Sequence, residues 1–297
     1  MEGSWLPRVV LGTAVLATGV ASAAAPAGSR DTFTNATRNA GISFTCPNAI
    51  CIVKPDGSGR SVFVTAWFDS YGDPSWTRDG TALAYFVGYS DTHRIAVFQV
   101  STRSYDELRR GQDARSFEPS WSPDGERIAV TEITPPGVVY GLQASTIKII
   151  SLATAKYAQV TKPRIDRIDT EPAWSPDGST IAFVRRTKHT FPTIFLIRPD
   201  GSGVRRLTAG RSPSWSPDGT HLVFALDRRI YEVRADGGGR RRILSGFRHP
   251  LVRWSPDGTR LLIASGRNAW VTDADGRHRM RVLHERYDIE GLAWRPG

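Results

Sequence analysis

The stretch PSWSPDG, at residues 119–125, decides the fold of this chain because it recurs along the sequence. Four further copies share its tryptophan, aspartate and glycine: PSWTRDG (74–80), PAWSPDG (172–178), PSWSPDG (213–219) and VRWSPDG (252–258). A truncated copy, LAWRPG, ends the sequence at 292–297. Repetition of this kind predicts a structure built from one supersecondary unit laid down several times.

The spacing of the repeats identifies the unit. Successive repeat tryptophans are 45, 53, 41, 39 and 40 residues apart; they are Trp76, Trp121, Trp174, Trp215, Trp254 and Trp294. A period near 40, filled with short Val-, Ile- and aromatic-rich runs broken by Gly and Pro, predicts four strands per repeat, which make one blade of a β-propeller. A helical repeat would need an apolar period of 3.6 residues, and no stretch sustains one.

The SPDG segment predicts the turn between the first two strands of each blade. Proline suits the second position of a type I turn, aspartate can bind nearby backbone N–H groups, and glycine tolerates the left-handed conformation that follows. We therefore expect the repeat aspartates to form turns rather than a calcium array; they are Asp79, Asp124, Asp177, Asp218 and Asp257. A second glycine-rich turn, such as RPDGSGV from Arg198, precedes a strand, whereas a phosphate-binding loop needs a following helix.

The two ends of the chain complement each other. The segments GISFT (41–45), ICIVK (50–54) and RSVFVT (60–65) read as the second, third and fourth strands of a blade that lacks its first. The truncated copy at 292–297 can supply that strand, which closes the ring. The sequence therefore predicts an all-β fold over residues 41–297: a six-bladed β-propeller of four-stranded antiparallel blades, closed by a C-terminal strand that joins the N-terminal blade.

The motif PSWSPDG, followed by IAF, IY and RLT segments, resembles the PD-type (WSPDG) repeat of TolB-like six-bladed β-propellers. The resemblance covers about residues 41–297 and implies a periplasmic propeller that binds proteins. TolB carries an N-terminal α/β domain before its propeller, and the residues ahead of position 41 are too few for one. We therefore expect a propeller without that domain.

The first 40 residues differ from the rest. The apolar run at 9–21 and the small residues after it predict a signal peptide over 1–25, with cleavage near Ala23 or Ala25 and a flexible segment at 26–40. An uncleaved membrane anchor is the alternative, and no later segment is apolar enough to span a bilayer. The expected location is secreted, periplasmic or cell-surface, where Cys46 and Cys51 of CPNAIC are expected to form a disulfide.

Charge limits the partners. The formal net charge is +10, and basic residues form only short clusters, such as those at 205–206 and 240–242. This pattern does not predict specific nucleic-acid binding. The expected partner is an envelope or extracellular protein, with an anionic polymer as a second candidate. The mature chain is expected to be a monomer without a membrane span.

Strand parity predicts which face binds. In a four-stranded meander, turns 1–2 and 3–4 lie on one face, which we call the turn face, and it is paved with repeated turns. The 2–3 loops and the connections between blades lie on the opposite face, which we call the loop face, where the sequence varies. The predicted binding residues on the loop face are Tyr71, Asp73, Arg115, Phe117, Asp169, Arg211, Arg248, His249, Tyr287 and Asp288.

Catalytic signatures are weak. The sequence contains no G-x-S-x-G or H-E-x-x-H motif, so we predict no catalytic residues, no cofactor and no metal site. His93, His189 and His249 fall in loop-face segments and would be the candidates if a metal were bound. The leading interpretation is a non-catalytic protein-binding or scaffold module. The alternative is an extracytoplasmic polysaccharide lyase or hydrolase that uses carboxylates at the channel mouth.

Overall fold

The computed structural model describes residues 41–65, 70–89, 92–108, 115–133, 144–164 and 166–297. The predicted signal peptide and flexible segment, residues 1–40, lie outside the described residues. Parts of the loop-face segments at 67–73, 113–118 and 131–145 also lie outside them.

The described residues form six blades of four antiparallel strands, which follow one another from the innermost strand outwards. Blade 1 contains β24 (Leu292–Arg295), β1 (Gly41–Cys46), β2 (Ala49–Val53) and β3 (Ser61–Thr65). Blade 2 contains β4 (Ser70–Trp76), β5 (Ala82–Tyr89), β6 (Thr92–Gln99) and β7 (Ser104–Leu108). Blade 3 contains β8 (Arg115–Trp121), β9 (Arg127–Ile133), β10 (Ser145–Ser151) and β11 (Tyr157–Gln159).

The second half of the ring repeats the pattern. Blade 4 contains β12 (Arg167–Trp174), β13 (Ile181–Thr187), β14 (Thr193–Ile197) and β15 (Arg205–Ala209). Blade 5 contains β16 (Arg211–Trp215), β17 (His221–Leu226), β18 (Arg229–Arg234) and β19 (Arg241–Ser245). Blade 6 contains β20 (Leu251–Trp254), β21 (Arg260–Ser265), β22 (Asn268–Asp273) and β23 (Met280–His284). The predicted six-bladed, all-β fold is confirmed.

The ring closes as predicted. Strand β24 pairs antiparallel with β1, from Gly41 opposite Arg295 to Phe44 opposite Leu292. Each innermost strand also contacts the innermost strand of the next blade, from β4 around to β24 and back to β4. The last strand of the chain therefore completes the first blade and leaves the ring without an open edge.

The repeat tryptophans hold neighbouring blades together. Each apolar cluster fills the space between two adjacent blades, and the motif tryptophans line these clusters. The indole N–H of Trp121 donates to the carbonyl of Ser75 in the preceding blade at 3.0 Å, and Trp294 donates to Arg253 at 3.3 Å. In these copies the indole fills the apolar cluster and also binds a backbone acceptor of the preceding blade.

The SPDG segments form the predicted turns. In the copy at 122–127, the hydroxyl of Ser122 donates to the carboxylate of Asp124 and accepts the N–H of Arg127 at 3.0 Å. The carboxylate also accepts the N–H of Glu126 at 3.0 Å, and Gly125 has a φ of 72°. Hydrogen bonds of this kind lower the pKa of the repeat aspartates, to about 2 for Asp218. Turn formation accounts for these residues.

Among the described residues there is no helix long and apolar enough to cross a membrane.

Candidate functional site

Two surfaces of the propeller offer binding features: the central channel and the loop face. The channel is shaped by a bulge in the innermost strands, where the residue before the motif proline adopts a left-handed conformation. This residue is Asp73 (φ 50°), Glu118 (51°), Glu171 (54°) or Ser212 (53°) in blades 2 to 5, respectively. Such a φ is strained for a non-glycine residue, so something in the surroundings must maintain it.

A chain of hydrogen bonds between blades maintains these bulges. The side chain at this position accepts the backbone N–H of the equivalent residue in the next blade: Asp73 from Glu118, Glu118 from Glu171 at 2.7 Å, and Glu171 from Ser212. The hydroxyl of Ser212 then accepts the N–H of Val252 at 3.1 Å. We call Asp73, Glu118, Glu171 and Ser212 the inner ring. It links blades 2 to 6 around the channel.

In blade 1 the equivalent position belongs to Gly291, which lies against the Asp73 end of the inner ring. A Cβ atom there would lie 2.6 Å from the backbone nitrogen of Asp73 and 2.9 Å from its Cα. Only glycine permits this close approach without a shift of the backbone. Blade 1 therefore meets Asp73 through close backbone packing, whereas blades 2 to 6 are linked by side chains.

The inner ring brings three carboxyl groups together in a poorly solvated space. Burial, together with the nearby carboxylates of Glu171 and Asp73, raises the pKa of Glu118 to about 8. Burial also raises the pKa of Asp73 to about 6, opposed by the cationic Arg253. The guanidinium of Arg253 donates to the hydroxyl of Ser212 at 2.9 Å. One arginine thus faces three carboxylic acids within the channel.

A cavity of about 400 Å³ occupies the channel between the inner ring and the turn face. Its wall includes the inner ring and, at the turn face, the motif prolines Pro123, Pro176, Pro217, Pro256 and Pro296. The predicted turns surround the centre of the turn face, which is concave. The cavity wall combines tryptophan, proline and serine with the acidic ring.

The loop face presents ordered, exposed side chains. Tyr287 is 57% exposed, and its segment is held on both sides by backbone hydrogen bonds. The N–H of Glu285 donates to the carbonyl of Arg267 at 2.7 Å, and the N–H of Ile289 donates to the carbonyl of Gly266 at 2.9 Å. Phe191, in the 2–3 loop of blade 4, is 83% exposed. The backbone near Arg248 is fixed by two 2.8 Å hydrogen bonds with the Ser265 hydroxyl.

The predicted disulfide is present next to this surface. Cys46 and Cys51 are bridged, with their Cα atoms 5.8 Å apart, and the bridge constrains the 2–3 loop of blade 1. Pro47 of that loop and Tyr287 line a shared cleft between blades 6 and 1. The cleft is crossed by an ion pair of 2.9 Å between Arg60 and Glu285. The disulfide thus stiffens one wall of a cleft that Tyr287 borders.

The ten predicted binding residues fall into three environments. Tyr71 and Asp169 are buried: Tyr71 packs against Tyr85 between blades, and Asp169 is fully inaccessible to solvent. The guanidinium of Arg185 binds both carboxylate oxygens of Asp169, at 2.7 and 2.9 Å, and Arg167 lies 3.6 Å away. We therefore assign Tyr71 and Asp169 to the interior rather than to a contact surface.

Three more of the predicted residues are half-buried. Asp73 belongs to the inner ring of the channel. Phe117 packs on the imidazole of His93 with ring centres 4.5 Å apart. The backbone of Arg115 in β8 forms a parallel β-bridge with that of His93 in β6 of the neighbouring blade. The remaining five lie at the loop face, where Arg211 is 3.9 Å from Glu171 and the other four are exposed: Arg248, His249, Tyr287 and Asp288.

The candidate metal histidines lie in different settings. His93 is half-buried between Phe86 and Phe117, whereas His189 and His249 are exposed on separate blades. Within the described ranges, no three His, Cys, Asp or Glu side chains form a group suited to a metal ion. The enzyme alternative stays a prediction.

Most of the inner ring was not predicted from the sequence. Glu118, Glu171, Arg253 and Phe191 were not among the ten predicted binding residues. A signal was available, because the residue before the motif proline is acidic in three successive copies, reading DPSW, EPSW and EPAW.

Comparison with known proteins agrees with this architecture. TolB from Acinetobacter baumannii is similar in structure, with a TM-score of 0.72 and 20% identity over 86% of this chain and 67% of that one. A chain of a nidogen/laminin complex gives a TM-score of 0.71 with 11% identity, covering 87% and 99% of the two chains. A putative TolB from Agrobacterium tumefaciens gives 0.63 with 18% identity over 87% and 99%.

These likenesses, at or below 20% identity, concern the fold. The family is shown by sequence: the profile of the TolB beta propeller domain (PD40) matches residues 33–297. That match covers every blade of the ring, including the closing strand. This chain is therefore a member of the TolB beta-propeller domain family.

Proposed function

We propose that this protein is an extracytoplasmic binding or scaffold module that engages a partner protein with its loop face. The TolB-like propeller fold is compatible with such a role. The observation that carries the proposal is Tyr287, a large aromatic side chain that is 57% exposed on an ordered segment beside the disulfide-stiffened loop. Exposed tyrosines on rigid segments are typical energetic anchors of protein interfaces.

Order at the loop face favours binding. A flexible loop loses conformational entropy when it binds, whereas a segment already held by hydrogen bonds loses little. The connection at 285–290 is held at Glu285 and Ile289, and the backbone of Arg248 is held by Ser265. The proposed contact set on this face is Tyr287, Phe191 and Arg248, together with Arg211, His249 and Asp288.

The disulfide supports a location outside the cytoplasm. Disulfides persist in oxidising compartments and are rare in reducing ones. The Cys46–Cys51 bridge therefore fits the periplasm, the cell surface or the medium. The proposed partner is accordingly an envelope or extracellular protein.

Site-specific photo-cross-linking tests the proposal. We would place a benzophenone side chain at Tyr287 and, in a matched protein, at His278, which is exposed in a 3–4 turn on the turn face. Each purified protein is illuminated with the native envelope fraction, and adducts are identified by mass spectrometry. We expect a discrete protein adduct from position 287 and none from position 278.

A variant set connects the adduct to the surface. Phe191→Ala with Arg248→Ala should reduce the yield of the adduct at position 287 by at least about tenfold, because truncating interface anchors typically costs about 2 kcal/mol or more. Lys54→Ala with Glu126→Ala, on the turn face, should leave the yield unchanged. Equal adducts from both positions, or equal losses in both variants, would refute the loop face as the binding surface.

A further inference from the structure

The positive charge of this protein is concentrated in one half of the ring. Residues 167–284, which form blades 4 to 6, contain 21 Lys and Arg against 11 Asp and Glu. The rest of the chain contains 18 of each. The whole excess of ten positive charges therefore belongs to three adjacent blades.

The outermost strands of these blades carry much of the excess. Strands β15, β19 and β23 read RRLTA, RRILS and MRVLH, whereas β3, β7 and β11 of the other half read SVFVT, SYDEL and YAQ, without a basic residue. Arg206, Arg242 and Arg281 occupy equivalent positions, opposite Phe195, Tyr231 and Trp270 of the neighbouring strand. All three are exposed, and none forms an ion pair with another described residue.

These arginines face the grooves between blades. Tyr231 packs into the apolar cluster between blades 4 and 5, and Trp270 packs into the one between blades 5 and 6. Because side chains opposite each other on paired strands point the same way, Arg242 and Arg281 face those two grooves. Phe195 belongs to the cluster between blades 3 and 4, so Arg206 faces the groove there.

Neighbouring arginines converge on the same grooves and are held in place. Arg240 lies over the ring of Tyr231 at 4.8 Å, and Arg205 of blade 4 reaches across to the carbonyl of Ala235 in blade 5. In the next groove, Arg279 lies 4.4 Å from the ring of Trp270 and 4.6 Å from that of Phe247. Stacking orders a guanidinium and leaves its edge free to bind an anion.

We propose that this rim of three grooves binds a linear acidic polysaccharide. The repeated guanidinium groups match a polymer that carries a carboxylate or sulfate at regular intervals. The grooves lie on the convex circumference of the ring, which a flexible chain can follow and a flat membrane touches at only one blade. Single-stranded nucleic acids bind through aromatic faces, and here arginines cover those of Tyr231 and Trp270.

The rim is separate from the loop face, and the inference does not depend on the proposed protein partner. Charged side chains on outer strands also discourage edge-to-edge aggregation. That role would require charge but no particular ligand. The binding experiment separates the two roles, because only a binding site makes the position of the charges matter.

Fluorescence anisotropy with an end-labelled polygalacturonate of about 20 units tests the proposal on the mature chain. The rim variant is Arg206→Gln, Arg242→Gln and Arg281→Gln. The control, Lys54→Gln, Arg78→Gln and Lys156→Gln, removes the same charge from exposed positions in blades 1 to 3. In about 50 mM NaCl we expect the rim variant to bind at least about tenfold more weakly and the control to change by less than about twofold.

A lysine version of the rim variant keeps the charge and should retain at least half of the affinity. It also covers the case in which the glutamine variant folds poorly, which thermal unfolding would reveal. Equal losses in the rim and control variants would overturn the proposal, since binding would then follow net charge alone. Tighter binding to single-stranded DNA of equal length, or to phosphatidylglycerol vesicles, would also overturn it.

Discussion

Removal of the closing strand should unfold the whole propeller, although it takes away only the last six residues. Deletion of 292–297 leaves β1 without the partner that it pairs with from Gly41 to Phe44. Leu292 is 1% exposed and Trp294 is 8% exposed, so both side chains are lost from the apolar cluster between blades 6 and 1. Blade 1 would then lose its innermost strand and keep only the contacts that β1, β2 and β3 make with blades 2 and 6.

The magnitude follows from the buried side chains. Truncation of a buried leucine to alanine costs about 2–5 kcal/mol and that of a buried tryptophan about 3–5 kcal/mol. Together these costs approach the stability of a typical domain, about 5–15 kcal/mol, before the lost strand pairing is counted. The single substitution Leu292→Ala should lower Tm by roughly 5–15 °C, since each kcal/mol corresponds to about 2–4 °C at this size.

Thermal and urea unfolding, followed by tryptophan fluorescence and circular dichroism, measure the effect. We expect the deleted protein to lose its cooperative transition, and a synthetic peptide of residues 288–297 to restore part of it. Deletion of the final Pro296 and Gly297 alone is the matched control, because β24 ends at Arg295. A cooperative transition within about 5 °C of the intact protein after deletion of 292–297 would refute the closure mechanism.

Three further predictions concern single interactions. Burial raises the pKa of Glu118 from 4.5 to about 8, so its stabilising contribution is complete below about pH 4.5 and is lost as the pH rises through 8. The unfolding free energy should therefore fall between about pH 4.5 and 8, and Glu118→Gln should make that fall less steep by at most about 1.4 kcal/mol per pH unit. Urea titrations at several pH values measure the slope. A slope unchanged by the substitution would contradict this. Asp169→Asn should lower the free energy of unfolding by about 3–5 kcal/mol because it leaves Arg185 without its buried partner. The control Asp166→Asn should lower it by less than about 1 kcal/mol because the Asp166–Lys188 pair is exposed. Similar losses for the two variants in urea unfolding would be inconsistent with this reasoning. Replacement of Cys46 and Cys51 by alanine should lower the unfolding free energy by about 2 kcal/mol, the loop-closure value for so short a loop. Reducing agent should then have no further effect on the Tm of the variant. A continued response to reductant would disprove the assignment of the disulfide to these two cysteines.

Local signals were enough to predict the scaffold from the sequence. The motif period, the Pro-Asp-Gly turn and the truncated last copy together predicted six blades and the closing strand. Each signal is contained in a few neighbouring residues, because turn chemistry and strand alternation are short-range effects. The disulfide could be predicted for the same reason, since Cys46 and Cys51 are only five residues apart.

The exposure of the predicted binding residues required the tertiary structure. Strand parity placed Tyr71 and Asp169 near the loop face, but the innermost strands shift register at the bulge, between Gly72 and Ser75 in β4 and between Thr170 and Ala173 in β12. A one-residue shift in a strand exchanges the faces of its side chains. Both residues consequently point between blades and are buried.

The sequence by itself determined how many blades form, where they turn and how the ring closes. Only the tertiary structure decided that Asp73, Glu118, Glu171 and Ser212 share one ring, and that the rim arginines line consecutive grooves. The physical reason is distance along the chain. These residues lie about 36 to 53 positions apart and meet only once the ring closes, when charges and hydrogen-bonding groups from different blades surround the same space.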